Sequence, residues 1–334
     1  MSVIEKAILL NDEKNKIKEN KKVKDFAEVK KKQELFLRRL RSTYNRLDIT
    51  EKTFFRLSNC GDFCMFLSTK NFDKMKLYKA NFCGNRFCPA CARRKAIKDS
   101  IALMSMTRWI LEEKKRKFIY LTLTVPSVSE YELKSKIIEM NQAVEKLVKR
   151  TQFDKAMKGY ARKLEVSYNK KTNTFNPHFH ILISVSSNYF KNNYIRKDKW
   201  LEAWREVMDD QSITQIDIKN LRDLKEDSKN KKDLLKITKY IAKDNQYNMS
   251  SDDVFVAYYS NLKSLRYFAF SGDFREARSL YSRKELNKYL EIDETVWYWL
   301  ITFGWAKGEY QEKQKEKVSN LDLNIKDLVF KDCL

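Results

Sequence analysis

The sequence predicts an α+β protein in which antiparallel strands are flanked by helices. Three observations carry that prediction. Residues 117–125 are an almost unbroken apolar and β-branched run that Pro126 ends. Residues 162–168 and 177–183 are two more strand-like runs, joined by the polar stretch 169–174, which reads as a hairpin. Between and around them lie segments of helical period, such as residues 92–113, where Ile97, Ile101, Met104 and Leu111 share one face.

The elements follow in order. Residues 14–40, rich in Lys, Glu and Asn, form either a charged helix or a partly disordered basic arm. Residues 76–82 are short and weakly strand-like. Residues 131–158 read as one amphipathic helix, 200–208 as another, and 213–218 as a strand. Residues 232–244 are a helix. Beyond residue 255 the chain is rich in aromatics, including Trp297, Tyr298 and Trp299, and is expected to be helical and packed. The expected organisation is a basic N-terminal arm (1–45), a cysteine-rich zinc-binding region (46–105), a central domain (106–255) and a helical C-terminal region (256–334). No internal repeat is evident.

Composition narrows the function. A chain of 334 residues suits about two domains, and 6 Gly with 3 Pro argue against long flexible linkers. No apolar run approaches the roughly 18 residues of a membrane span, and the densely charged N-terminus lacks the apolar core of a secretory signal. A soluble, cytoplasmic protein without a membrane partner is expected. Lys and Arg number 68 against 45 Asp and Glu, for a net charge of +23. Such a surplus favours a polyanion, most simply nucleic acid.

Three groups of residues carry chemistry. The only two histidines are His178 and His180, two apart in a strand, so both imidazoles aim at one face while Phe179 faces the other. That is half of a divalent-metal site, or a pair satisfied by hydrogen bonds. Five of the six cysteines, Cys60, Cys64, Cys83, Cys88 and Cys91, fall within about 30 residues, and Cys88 and Cys91 form a knuckle around Pro89 and Ala90. Tetrahedral zinc needs four such ligands, and a cytoplasmic chain disfavours disulfides. Five thiols are available for four places, and Cys333 is a bystander. Arg93, Arg94 and Lys95 follow the knuckle, as a phosphate site or an ordinary solvated helix start. Finally, Tyr240 sits between Lys239 and Lys243, which can favour a phenolate and hold a phosphate beside it.

The segments containing Thr122 and Thr124, then His178 and His180, then Tyr240 and Lys243 stand in the order of the three motifs of HUH endonucleases. With the upstream cysteines, the chain resembles plasmid rolling-circle replication initiators of small Gram-positive plasmids, over about residues 55–275. The resemblance implies an antiparallel sheet with helices on one face, carrying the histidines centrally. It implies nicking of one strand at a plasmid origin, supercoiled or single-stranded. A tyrosine becomes joined to the 5′-phosphate, the 3′-OH primes the host polymerase alongside a host helicase, and DNA is rejoined at termination.

On this chain it implies His178 and His180 as metal ligands with Glu165 as the third, holding Mg²⁺ or Mn²⁺. The alternative for Glu165 is a cross-strand salt bridge. Tyr240 is then the nucleophile, and Lys243 holds phosphate. Cys60, Cys83, Cys88 and Cys91 best match the family's zinc pattern, leaving Cys64 spare. Related initiators often place a glutamate four residues before the tyrosine, where this chain has Lys236; Asp233 and Tyr247 are the substitutes as second acid or nucleophile. The alternatives are a related HUH relaxase or transposase, which usually has a third histidine or a shorter chain, and a non-catalytic zinc-dependent DNA-binding regulator. Oligomeric state, origin sequence and termination residue do not follow from the sequence.

Overall fold

The structure, a computed structural model, describes residues 20–221, 251–290 and 293–320 without a break, and single residues at 13, 16, 17, 19, 234, 236–238 and 241. Asn20 caps helix α1 (Lys21–Ser42) by accepting from the Lys22 amide. The N-terminal run is therefore a helix in its described part. Val29, Gln33, Phe36, Leu37 and Leu40 recur at helical spacing and are buried, so α1 is a core element. Helix α2 (Glu51–Ser58) and strand β1 (Phe63–Ser68) precede β2 (Met75–Ala80). Helix α3 (Pro89–Glu112) starts on Pro89, where a missing N–H costs nothing.

Strand β3 spans Lys117–Thr124. The single helix expected over 131–158 is two, α4 (Leu133–Lys149) and α5 (Thr151–Ala156), because Arg150 is extended at ψ 136° and interrupts it. Strands β4 (Met157–Asn169) and β5 (Thr174–Val185) form the hairpin, longer than expected. After α6 (Tyr189–Asn192) and α7 (Lys197–Met208) comes β6 (Ile216–Leu221), three residues later than the sequence suggests. Helix α8 (Asp252–Leu262), β7 (Phe268–Gly272), α9 (Asp273–Ser282), β8 (Trp299–Ala306) and β9 (Glu309–Lys317) follow.

The last two strands correct the expectation of a helical C-terminal region over 256–334. Trp299, Ile301, Thr302, Phe303 and Trp305 are aromatic or β-branched and favour a pleated surface over a helix. Lys307 and Gly308 both have positive φ, +52° and +81°, as a two-residue turn joining antiparallel strands requires. Trp297 and Tyr298 precede β8 and are not helical either.

The described residues form two compact units, one of residues up to 94 with those from 293 onward, the other of residues 95–290. The first contains a four-stranded antiparallel sheet in the order β2-β1-β8-β9. Its core joins Val23 of α1, Cys64, Phe66, Met75, Ile301, Phe303 and Tyr310. The second contains a five-stranded antiparallel sheet in the order β6-β3-β5-β4-β7. Phe118, Tyr120, Ala161 and Leu182 on one face pack with Leu103, Met106 and Ile110 of α3, Phe274 of α9, and Leu234, Ile237 and Ile241. Alternate residues Ile119, Leu121, Leu123, Phe179, Ile181 and Ile183 point the other way and are equally buried, with α4 lying against β5. Both faces are covered, whereas the resemblance implied helices on one. The near-continuous apolar run in β3 has this cause, since a half-solvated strand would alternate.

Candidate metal centres

Two clusters of metal-ligating side chains occur among the described residues, one in each unit. In the first, Cys60 follows α2, Cys83 follows β2, Cys88 precedes α3 and Cys91 lies in its first turn. All four side chains are buried and their sulfurs lie within 4.8 Å of one another. Individual Sγ–Sγ separations are 3.7 Å for Cys60 and Cys91, 3.4 Å for Cys83 and Cys91, and 3.5 Å for Cys60 and Cys88. Four thiolates at zinc–sulfur bonds of about 2.3 Å stand about 3.8 Å apart around a tetrahedral ion, so this donor set fits one.

Backbone amides finish the cage. The Gly84 amide donates to Cys91 Sγ at 3.2 Å, the Cys83 amide to Cys60 Sγ at 3.4 Å, and the Asn85 amide to Cys83 Sγ at 3.4 Å. Gly84 has φ +75°, a left-handed conformation that aims its amide inward and that other side chains resist. Hydrogen bonds from Cys60, then Cys83, push the Cys91 thiol down. Cys64 is elsewhere: it belongs to the core that contains Phe66 and Tyr310, and burial pushes its thiol up. The sequence left five candidates for four places, and the chain path gathers four.

The second cluster sits on the five-stranded sheet. Glu165 on β4 is the direct cross-strand partner of His178 on β5, and Thr122 on β3 is that of His180. Antiparallel pairing therefore puts Glu165, His178 and His180 on one face. Glu165 Oε2 lies 2.8 Å from His180 Nε2 and 3.5 Å from His178 Nε2. Adjacent ligands on a divalent ion bound at about 2.1 Å are about 3 Å apart, so these three fit one side of such an ion and leave its other positions open. Hydrogen bonds from His178, then His180, hold the Glu165 carboxyl well below the usual carboxylate range. Burial pushes the His180 imidazole down, against the opposing pull of Glu165. The salt-bridge and ligand readings of Glu165 describe the same position, since a carboxylate that faces both rings can also share an ion with them.

Sequence reading missed two groups here. Tyr120 Oη lies 2.6 Å from His180 Nδ1, and Thr122 Oγ1 lies 3.4 Å from it. The period-2 alternation of Tyr120, Thr122 and Thr124 put them on one face, but only the β3–β5 register shows that this is the histidine face. The His178 ring is turned by a contact of 3.1 Å between its Nδ1 and the Asn176 carbonyl.

Tyr240, Lys243, Asp233, Tyr247 and Cys333 lie outside the described residues. The described part of their segment is helical at Leu234, Lys236, Ile237, Thr238 and Ile241. Leu234, Ile237 and Ile241 are buried in the core that also contains Tyr120.

A profile of the family described as replication protein matches residues 74–297, two thirds of the chain, including both histidines, Glu165 and three of the four clustered cysteines. The chain belongs to that replication protein family. Family members are plasmid replication initiators, and the relatives are Gram-positive. One from Staphylococcus aureus, called Protein rep, is 43% identical over 205 residues, covering 61% of this chain and 84% of the relative. A Protein rep of Streptococcus pneumoniae is 29% identical, covering 72% of this chain and 75% of the relative. That of Bacillus amyloliquefaciens is 31% identical, covering 70% and 72%. No solved structure matches the chain. Among the described residues, no helix is long and apolar enough to cross a membrane.

Proposed function

We propose that this replication initiator nicks one strand of its plasmid origin with Tyr240 and later rejoins DNA through the same residue. The observation that carries the reading is the Glu165, His178 and His180 cluster on one face of an antiparallel sheet. The nicking and joining activity expected of residues 106–255 would sit, in an HUH-type fold, on the five-stranded sheet, whose last strand β7 extends it to Gly272. Residues 46–105 would be the zinc-binding region.

In the proposed step the Tyr240 phenol oxygen bonds to phosphorus and the phosphorus–O3′ bond breaks. The phenol gives its proton to a base, and the departing O3′ takes one up as the 3′-OH. A 5′-phosphotyrosine link stores the bond, so rejoining by the reverse reaction needs no external energy. Glu165, His178 and His180 would hold Mg²⁺ or Mn²⁺, which when bound polarises the scissile phosphate and steadies the charge that develops on it. Lys243 would hold the phosphate, and Asp233 or Tyr247 would act at termination. Cys60, Cys83, Cys88 and Cys91 would hold a structural Zn²⁺. The positive surplus suits the origin DNA, with the host helicase and polymerase using the exposed strand and the 3′-OH.

The test is to incubate the protein with supercoiled plasmid and Mn²⁺ and to look for a covalent adduct. A nicked circle with a nucleotide on Tyr240 is the expected result. Origin binding without any nick or adduct would instead favour a DNA-binding regulator.

A further inference from the structure

His180 is held at both ring nitrogens. Nε2 faces the Glu165 carboxylate at 2.8 Å and Nδ1 faces the Tyr120 hydroxyl at 2.6 Å. A carboxylate only accepts, so Nε2 carries the proton and Nδ1 accepts from the phenol. A cation bound at Nε2 needs that nitrogen's lone pair, which moves the ring proton to Nδ1. Most partners of a ligating histidine are carboxylates or carbonyls, which accept and so fit only the second arrangement. A phenol both donates and accepts, so Tyr120 can hold the ring in either.

The phenol is itself well fixed. Its ring is 8% exposed and belongs to the core containing Phe118, Leu182, Ile237 and Ile241. The ring lies nearly parallel to that of His180, with 4° between the planes and 5.9 Å between centroids, so the hydroxyl meets Nδ1 at the imidazole's edge. Thr122, at 3.4 Å, is the weaker neighbour of the same nitrogen.

We propose that Tyr120 is the positioning residue of the candidate metal centre: its hydroxyl anchors His180 Nδ1 in both tautomers, so that Nε2 can exchange Glu165 for a divalent cation without the ring turning. The inference rests on the metal reading given above. It adds a residue outside the three ligands and links the centre to the core shared by Leu234, Ile237 and Ile241. The ring stays neutral throughout, one proton leaving Nε2 and one arriving at Nδ1 by exchange with water.

The chain's two histidines make the test clean, because the imidazole nitrogen spectrum contains only two rings. In full-length, zinc-loaded protein, ¹⁵N NMR should find the His180 proton on Nε2 without Mg²⁺ and on Nδ1 with it. Tyr120→Phe keeps the ring and should bind Mn²⁺ about 10- to 100-fold more weakly, followed by electron paramagnetic resonance. Its nicking should recover at high Mn²⁺, whereas a general loss of packing would lower activity at every concentration. Thr122→Val should bind Mn²⁺ as wild type does. Unchanged Mn²⁺ affinity in Tyr120→Phe, or a His180 proton that stays on one nitrogen, overturns the inference. Mn²⁺ binding indifferent to Glu165→Gln and His178→Ala would instead remove the metal reading beneath it.

Discussion

Replacing Cys88 by serine should release the zinc and destabilise the unit that contains the four-stranded sheet. Cys88 Sγ is fully buried, 3.5 Å from Cys60 Sγ, in a set whose four sulfurs all lie within 4.8 Å of one another. A structural zinc binds small domains with about 10–16 kcal/mol, so one of four ligands' share is about 2.5–4 kcal/mol. That is a large part of the roughly 5–15 kcal/mol that keeps a whole domain folded. The effect is larger than the lost ligand alone, because three thiolates then crowd a buried space without a cation between them. The control is Cys64→Ala, since Cys64 packs in the core away from the cluster. It should cost about 1 kcal/mol for lost packing and leave the zinc content at one per chain. A serine at that site is the poorer control, because its hydroxyl would sit in the apolar core with Tyr310 as partner. The assay is elemental analysis together with thermal melting. Folded wild-type protein without zinc, or Cys88→Ser with full zinc and an unchanged melting temperature, would refute the reasoning.

The remaining predictions concern the reaction and its DNA. Tyr240→Phe should fold, retain its metals and bind origin DNA, yet form no covalent adduct; peptide mapping that finds the nucleotide on Tyr247, or an adduct surviving in the variant, would reassign the nucleophile. His178→Ala and Glu165→Gln should each lower nicking at least 100-fold while leaving origin affinity within a few-fold, because an ion acting on the developing charge is not needed for binding. Normal Mn²⁺-dependent nicking by Glu165→Gln would return that residue to a purely structural role. DNA affinity should fall steeply between low and moderate salt, as phosphate contacts release counterions, and a flat salt dependence measured by fluorescence anisotropy would argue against the charge-driven contact.

The sequence by itself nominated the histidines, Glu165 and the clustered cysteines, and set much of the local structure. Two histidines two apart in a strand must share a face, and a hairpin turn at 169–174 brings Glu165 near them. The apolar run at 117–125 marks a central strand. These features are legible because strand alternation and turn composition are local properties. The C-terminal strands were not legible in the same way. Trp297, Tyr298 and Trp299 read as packed aromatics, but 299–306 is a strand held between β9, across the Lys307–Gly308 turn, and β1, more than 200 residues away in sequence. The break at Arg150 was likewise hidden, since the residues on both sides of it favour helix.

Tertiary structure decided what register and chain path control. It chose four cysteines from five, because Cys64 faces the apolar core from β1 while Cys60, Cys83 and the Cys88–Cys91 pair arrive from three separate segments. It set the Glu165–His178 pairing by the β4–β5 register, where a slip of one residue would send the carboxylate to the opposite face. It also brought Tyr120 onto His180 across β3, a contact between residues 60 apart that no local pattern records. Spacing along a chain can nominate ligands, but only the pairing of distant strands fixes which atoms meet.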